Sequence, residues 1–183
     1  MLESPVTGDP PLTSARRAAV LVLLFDLDDE AHFVLTRRTD SLVHHPGQIS
    51  LPGGALEPHD DSLAVAALRE THEEVGILPH RVRLVGRLPD VHTAVSDFLV
   101  TPYIGLHEGS PEMHAEPLEI ARIFTPSIRA LIEADLRLPA EPTIATLRYP
   151  LCDEDVWGAT ARILRSLSTR IRDVLGVTAP PVE

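Results

Sequence analysis

The sequence predicts an α+β domain, and three observations predict it. An uninterrupted apolar run at residues 18–25 has the length and aliphatic content of a strand covered on both faces. Within residues 51–77 a Gly-rich loop runs into a capped helix that ends in a cluster of acids. Near the C-terminus Ile163, Leu167, Ile171 and Val174 repeat every three or four residues, the mark of a helix with one packed face. No internal repeat or linker divides the 183 residues, so a single domain over residues 17–177 is expected.

The elements follow in order. Residues 1–16 hold Pro5, Gly8, Pro10 and Pro11 without periodicity and read as a mobile N-terminal arm. After the apolar strand, residues 26–30 form an acidic turn. Residues 33–38 return as the second strand of a hairpin-like pair, ending in Arg37 and Arg38. Residues 40–47 are a polar loop containing His44 and His45, and a short strand runs from Gln48 to Leu51. The sequence Pro52-Gly53-Gly54 is expected to break it, because glycine reaches backbone conformations closed to other residues. Asp60 or Asp61 is the expected N-cap of the helix through Val75, and Gly76 its C-cap. Strands are expected at 82–88, 98–106, 119–124 and 143–150, with a polar, mobile loop at 108–116 over the site. Ser127 opens a short helix to Ala134, a longer helix covers 157–175, and residues 178–183 are a tail.

Composition excludes some functions. A net charge of −11 and a pI near 5.2 argue against nucleic acid or an anionic membrane as partner. They leave room for a small phosphorylated substrate, because a metal ion and a few arginines supply positive charge locally. The single Cys152 excludes an intrachain disulfide and fits the cytoplasm. The run at 18–25 is too short to span a bilayer and is followed by acids. Nine histidines raise the question of zinc, but no pair has the spacing of a helical zinc site.

The chemistry-bearing residues lie on the central helix. At about 100° per residue, Glu70, Glu73 and Glu74 share one face, apart from the mostly apolar face of Ala64, Ala67, Leu68, Thr71 and Val75. Like charges so placed repel, and a hard divalent cation, Mg²⁺ or Mn²⁺, would relieve the repulsion. Arg69 can reach Glu73 across one helical turn and orient it.

The stretch Arg69-Glu70-Thr71-His72-Glu73-Glu74-Val75-Gly76-Ile77 resembles the core of the Nudix hydrolase signature. Gly54 stands one position further from Arg69 than in the general pattern, and Asp60 or Asp61 replaces its first glutamate in a supporting or capping role. Residues 34–54, from Val34-Leu-Thr-Arg-Arg through His45, Gly47-Gln48 and Pro52-Gly53-Gly54, resemble the segment that marks coenzyme A pyrophosphatases of that superfamily. Trp157-Gly-Ala-Thr160 is similar to a further stretch of the same subfamily. Val43 departs from a usual basic residue, and Leu51 from a usual phenylalanine.

The resemblance implies a Nudix-type α/β/α sandwich with a mixed curved sheet. It also implies metal-dependent hydrolysis of coenzyme A or its derivatives to 3′,5′-ADP and 4′-phosphopantetheine. Glu70, Glu73, Glu74 and the Gly54 carbonyl are then the metal candidates, and Arg37, Arg38, His45, Gln48 and Gly53 the substrate-binding ones. The general base is Glu70 or an acid of the later loop, Glu116 or Glu119. His45 and Gln48 suit either a hydrogen-bonding scaffold or a substrate contact. Two other readings are a Nudix hydrolase for ADP-ribose, NADH or another nucleoside diphosphate derivative, and a non-catalytic Nudix-like ligand sensor. Homodimerisation is common in the family and is a further expectation.

Overall fold

The computed structural model describes residues 15–42, 45–93, 96–139 and 141–177; the expected arm up to residue 14 and the tail lie outside them. The first strands are β1 Arg16–Leu27, β2 Glu30–Phe33, β3 Leu35–Arg38, β4 Ile49–Ser50 and β5 Gly53–Ala55. After helix α1, Leu63–Val75, come β6 Val82–Arg87, β7 Val91–Thr93, β8 Phe98–His107 and β9 Ile120–Phe124. Helix α2, Ile128–Leu136, is followed by β10 Tyr149–Leu151, β11 Glu154–Val156 and helix α3, Gly158–Leu175.

β1 is the spine. It runs parallel to β8 from Arg16↔Phe98 to Leu24↔Leu106, and its other edge carries β2 at one end and β5 at the other, both antiparallel. β6 and β7 pair antiparallel with β8. A smaller sheet has the order β4-β3-β9, and β10 pairs with β11. Ala19, Leu21, Leu23 and Phe25 of β1 pack beneath Leu63, Ala67 and Val75 of α1. Ala18 and Val22 face the opposite layer, with Leu131 of α2 and Leu164 and Leu167 of α3. Helices on both faces explain why the run is apolar at successive positions rather than at alternate ones. The fold is therefore the expected α/β/α sandwich around a mixed sheet.

Several local expectations hold. Asp28 and Asp29 make the two-residue turn from β1 to β2 with φ of 51° and 61°, a conformation that aspartate tolerates. Gly76 ends α1 at φ 79°, its N–H bonding to the His72 carbonyl. Ser127 caps α2 by accepting from the Ala130 N–H.

Others are corrected. The cap of α1 is Ser62, whose Oγ accepts from the Val65 N–H at 3.3 Å; Asp60 is instead turned toward Arg69. The strand expected at 33–38 divides at Val34, because Phe33 pairs with Leu24 of β1 whereas Leu35 pairs with Phe124 of β9. The expected break at Pro52 does occur, β4 ending at Ser50, but Gly53-Gly54 then opens a further strand, β5, paired with Ala19 and Val20 in the other sheet. Of the strand expected at 143–150, only its end forms, since Thr143 and Thr146 satisfy each other's polar groups in a turn. Val174 is 82% exposed, so α3 outruns the core that Ile163 and Leu167 enter. The loop expected to be mobile at 108–116 is tied to the end of α1: His114 N–H bonds to Val75 O and Glu116 N–H to Glu74 O, each at 3.0 Å.

Candidate active site

β5 lies between β1 and the acidic face of α1, and a glycine permits each approach. Gly53 has φ 148°, and a Cβ there would stand 2.3 Å from the Ala19 carbonyl oxygen. A Cβ on Gly54 would stand 2.5 Å from the Glu70 carboxyl carbon. The Gly54 backbone and the Glu70 carboxylate can therefore be neighbours only because nothing lies between them.

Glu74 is 2% exposed, and its Oε2 accepts the Gly53 N–H at 3.2 Å. Its Oε1 lies 3.6 Å from Nη1 of Arg38, at the end of β3. Burial pushes the Glu74 carboxyl up to about 8, with the Glu70 and Glu119 charges adding to it and the Gly53 N–H and Arg38 opposing. Glu70 is also raised, first by burial, against the pull of Arg69. Arg69 is the clamp of the site. Its Nε and Nη2 each meet a different Asp60 oxygen at 3.0 Å, and its Nη1 meets Glu73 at 2.8 Å and Glu70 at 3.1 Å. A bidentate fork of this kind fixes orientation as well as charge. The hydrogen bonds from Arg69 hold the Asp60 carboxyl below the usual carboxylate range.

Apart from Asp60, these groups line one cavity of about 300 Å³, together with Glu57, Glu116 and Glu119. Arg38, Gly53, Gly54, Arg69, Glu70, Glu73, Glu74 and Glu119 are thus brought together as the sequence suggested. Arg37, His45 and Gln48 are not. Successive strand residues point to opposite faces, so Arg37 turns away to Asp40 at 3.3 Å and Glu154 at 4.0 Å. His45 sits at φ 56° in a turn closed by the Gln48 N–H on its carbonyl. The Asp60–Arg69 fork and the place of Glu57 were not foreseen. The signal for Glu57 was its position as the one acid of the approach loop before the Pro58 turn.

As the side chains stand, no three carboxylates among the described residues enclose one point, because Arg69 holds Glu70 and Glu73 while Arg38 lies on Glu74. The donor set still fits a hard divalent ion: three carboxylates on one helix face, one buried against its own charge, and a strand backbone with no Cβ in the way. Enclosing an ion requires Glu70 and Glu73 to rotate off Arg69.

A family model of the NUDIX domain matches residues 15–147, which contain β1, the glycine strand and all the carboxylates of the cavity. The chain belongs to the Nudix family. It is 35% identical over 173 residues to the uncharacterized Nudix hydrolase NudL of Enterobacter sp. (strain 638), covering 85% of this chain and 83% of that one. To the NudL of Pectobacterium atrosepticum it is 33% identical over 180 residues, covering 89% and 86%. Among solved structures, a C. elegans Ap4A hydrolase binary complex aligns with TM-score 0.59 at 17% identity, over 86% of this chain and 98% of that one. The NUDIX domain of Shewanella oneidensis NrtR complexed with ADP ribose aligns with TM-score 0.60 at 16% identity, over 90% and 94%. These likenesses show the Nudix fold. Nudix hydrolases act on nucleoside diphosphate derivatives and generally use divalent ions such as Mg²⁺ or Mn²⁺. No described helix is long and apolar enough to cross a membrane.

Proposed function

We propose that this Nudix hydrolase cleaves the pyrophosphate of coenzyme A or its derivatives, giving 3′,5′-ADP and 4′-phosphopantetheine. The observation that carries the reading is the contact of Arg38 with Glu74, 3.6 Å apart. Arg38, Gly53 and Gly54, from the segment that resembles coenzyme A pyrophosphatases, line the carboxylate cavity, where they can meet the substrate's phosphates.

A pyrophosphate resists water because its own charges repel a nucleophile, so the site must offset charge and place both a water and a proton acceptor. Glu70, Glu73, Glu74 and the Gly54 carbonyl would hold Mg²⁺ or Mn²⁺, which when bound offsets phosphate charge and makes water more acidic. Arg38 supplies fixed positive charge beside the phosphates, and Arg69, anchored by Asp60, holds Glu70 and Glu73 until an ion draws them off it. Glu119, on the cavity wall without an arginine partner among the described residues, accepts the proton of the attacking water. The water oxygen bonds to one phosphorus, its proton passes to Glu119, and the bridging P–O bond breaks with its electron pair leaving on the departing phosphate.

The test is a substrate panel of coenzyme A, ADP-ribose and NADH with Mg²⁺, products resolved by chromatography. Coenzyme A is expected to give 3′,5′-ADP and 4′-phosphopantetheine, and Glu70→Gln to abolish the turnover. Rapid cleavage of ADP-ribose with coenzyme A left intact would overturn the substrate assignment.

A further inference from the structure

Glu119 sits on the cavity wall, yet no side-chain hydrogen bond or ion pair holds its carboxylate among the described residues. Its position is therefore that of its backbone. That backbone is a tight turn just before β9, built on Glu116: the N–H groups of Glu119 and Ile120 both bond to the Glu116 carbonyl, at 3.1 and 2.8 Å. The Leu118 N–H meets the Glu116 carboxylate at 3.3 Å. One side of the turn is fastened to the catalytic helix through the bond from Glu116 N–H to Glu74 O.

The other side is fastened by one residue. Thr39 follows Arg38 directly, its N–H bonds to Glu119 O at 2.8 Å, and its hydroxyl donates to Leu118 O at 3.1 Å. Between Arg37 and Arg38 the pairing of β3 with β9 shifts register, from Arg37↔Arg122 to Arg38↔Ile120. A bulge of this kind bends a strand end and re-aims the side chains beyond it. Here the side chains beyond it are Arg38, directed at Glu74, and Glu119. Past the bulge only the pair Arg38↔Ile120 continues the ladder, so the turn before it depends on Thr39.

We propose that Thr39 is a positioning residue whose hydroxyl and amide clip the 116–120 turn to the end of β3 and so place Glu119 in the cavity. The proposal rests on the reading of Glu119 as the proton acceptor. Leu118, 77% exposed, has both polar groups of its backbone held, the N–H by Glu116 and the carbonyl by Thr39. The nearby Ser41 hydroxyl, 3.1 Å from that of Thr39, gives the clip a further polar neighbour.

The experiment compares Thr39→Val, which keeps the shape and the amide but loses the hydroxyl, with Thr39→Ser, which keeps the hydroxyl. Thr39→Val is expected to lower kcat about three- to tenfold, the loss that one hydrogen bond supports, with KM within about twofold. Thr39→Ser should restore kcat. In a Glu119→Gln background the Val substitution should cost nothing further, because the group it positions is already gone. Hydrogen exchange gives a readout independent of turnover: the amides of residues 118–120 should exchange faster in Thr39→Val and at the native rate in Thr39→Ser. Unchanged exchange in Thr39→Val overturns the clip, whatever Glu119 does. An equal kcat loss in both backgrounds overturns its action through Glu119. Full activity of Glu119→Gln, by contrast, would strike the proton-acceptor reading on which the proposal rests.

Discussion

Gly53 and Gly54 are adjacent and chemically identical, yet they serve different needs, and substitution should separate them. A methyl group at Gly53 meets the Ala19 carbonyl in a backbone conformation that side chains rarely adopt. Gly53→Ala should therefore cost about 2–3 kcal/mol or more in a denaturant titration, since neither the strain nor the clash can relax without opening β5 from β1. A methyl group at Gly54 meets only the end of the Glu70 side chain. Gly54→Ala should melt near the native temperature but lose at least about tenfold in kcat, because it displaces a carboxylate that must be placed to within about 1 Å. Equal loss of stability in both variants would contradict this division. Helical periodicity made the faces of Glu70, Glu73 and Glu74 legible in the sequence, because a helix fixes the angle between its residues. The choice between Arg37 and Arg38 was not legible. It depends on which face of a strand meets the cavity, and the division at Val34 between two sheets sets that face.

At the scale of elements, α1 is held at its start by Ser62 and at its end by Gly76 and the 114–116 strap. Ser62→Ala should lower stability by about 1 kcal/mol and leave kcat unchanged, a result for chemical denaturation and steady-state kinetics to read together. A change in kcat would mean that the cap reaches the carboxylates. On the opposite layer, Asp135 near the end of α2 binds Arg165 and Arg172 of α3 and the Tyr149 hydroxyl of β10. Burial alone would raise its pKa, but hydrogen bonds from Tyr149, Arg165 and Arg172 outweigh burial and hold it below the ordinary carboxylate value. A lowered native pKa means that the unfolded chain takes up the proton first. The contribution is thus whole above about pH 4 and is lost as pH falls through the native pKa. Asp135→Asn should cost about 2–4 kcal/mol at neutral pH, the arginines being partly exposed and so partly rehydrated. Melting temperature measured from pH 5 to pH 2.5 should fall less steeply in the variant than in the native chain. Parallel curves would contradict the assignment. This cluster was not legible in sequence, because Asp135 and Tyr149 come from other elements than the helix that carries Arg165 and Arg172.

For the molecule as a whole, the apolar strand at residues 18–25 announced the architecture most clearly. Its successive buried positions require cover on both faces, and α1 supplies one layer while α2 and α3 supply the other. The sheet in turn assembles the cavity. β5 brings Gly53 and Gly54 from the edge of the spine onto the acidic helix, β3 brings Arg38, and the turn before β9 brings Glu119. The parts of the cavity come from separate stretches of chain, so the sequence could name most of them but not show which would meet. Addition of water to the coenzyme A pyrophosphate in this cavity, as proposed, can be followed by turnover of coenzyme A in ¹⁸O-labelled water with Mg²⁺ and mass spectrometry. The expected products are 3′,5′-ADP and 4′-phosphopantetheine in equal amounts, with one labelled oxygen on one of the two, and Glu74→Gln should give no turnover. Intact coenzyme A, release of free phosphate alone, or full activity of Glu74→Gln would contradict the proposal.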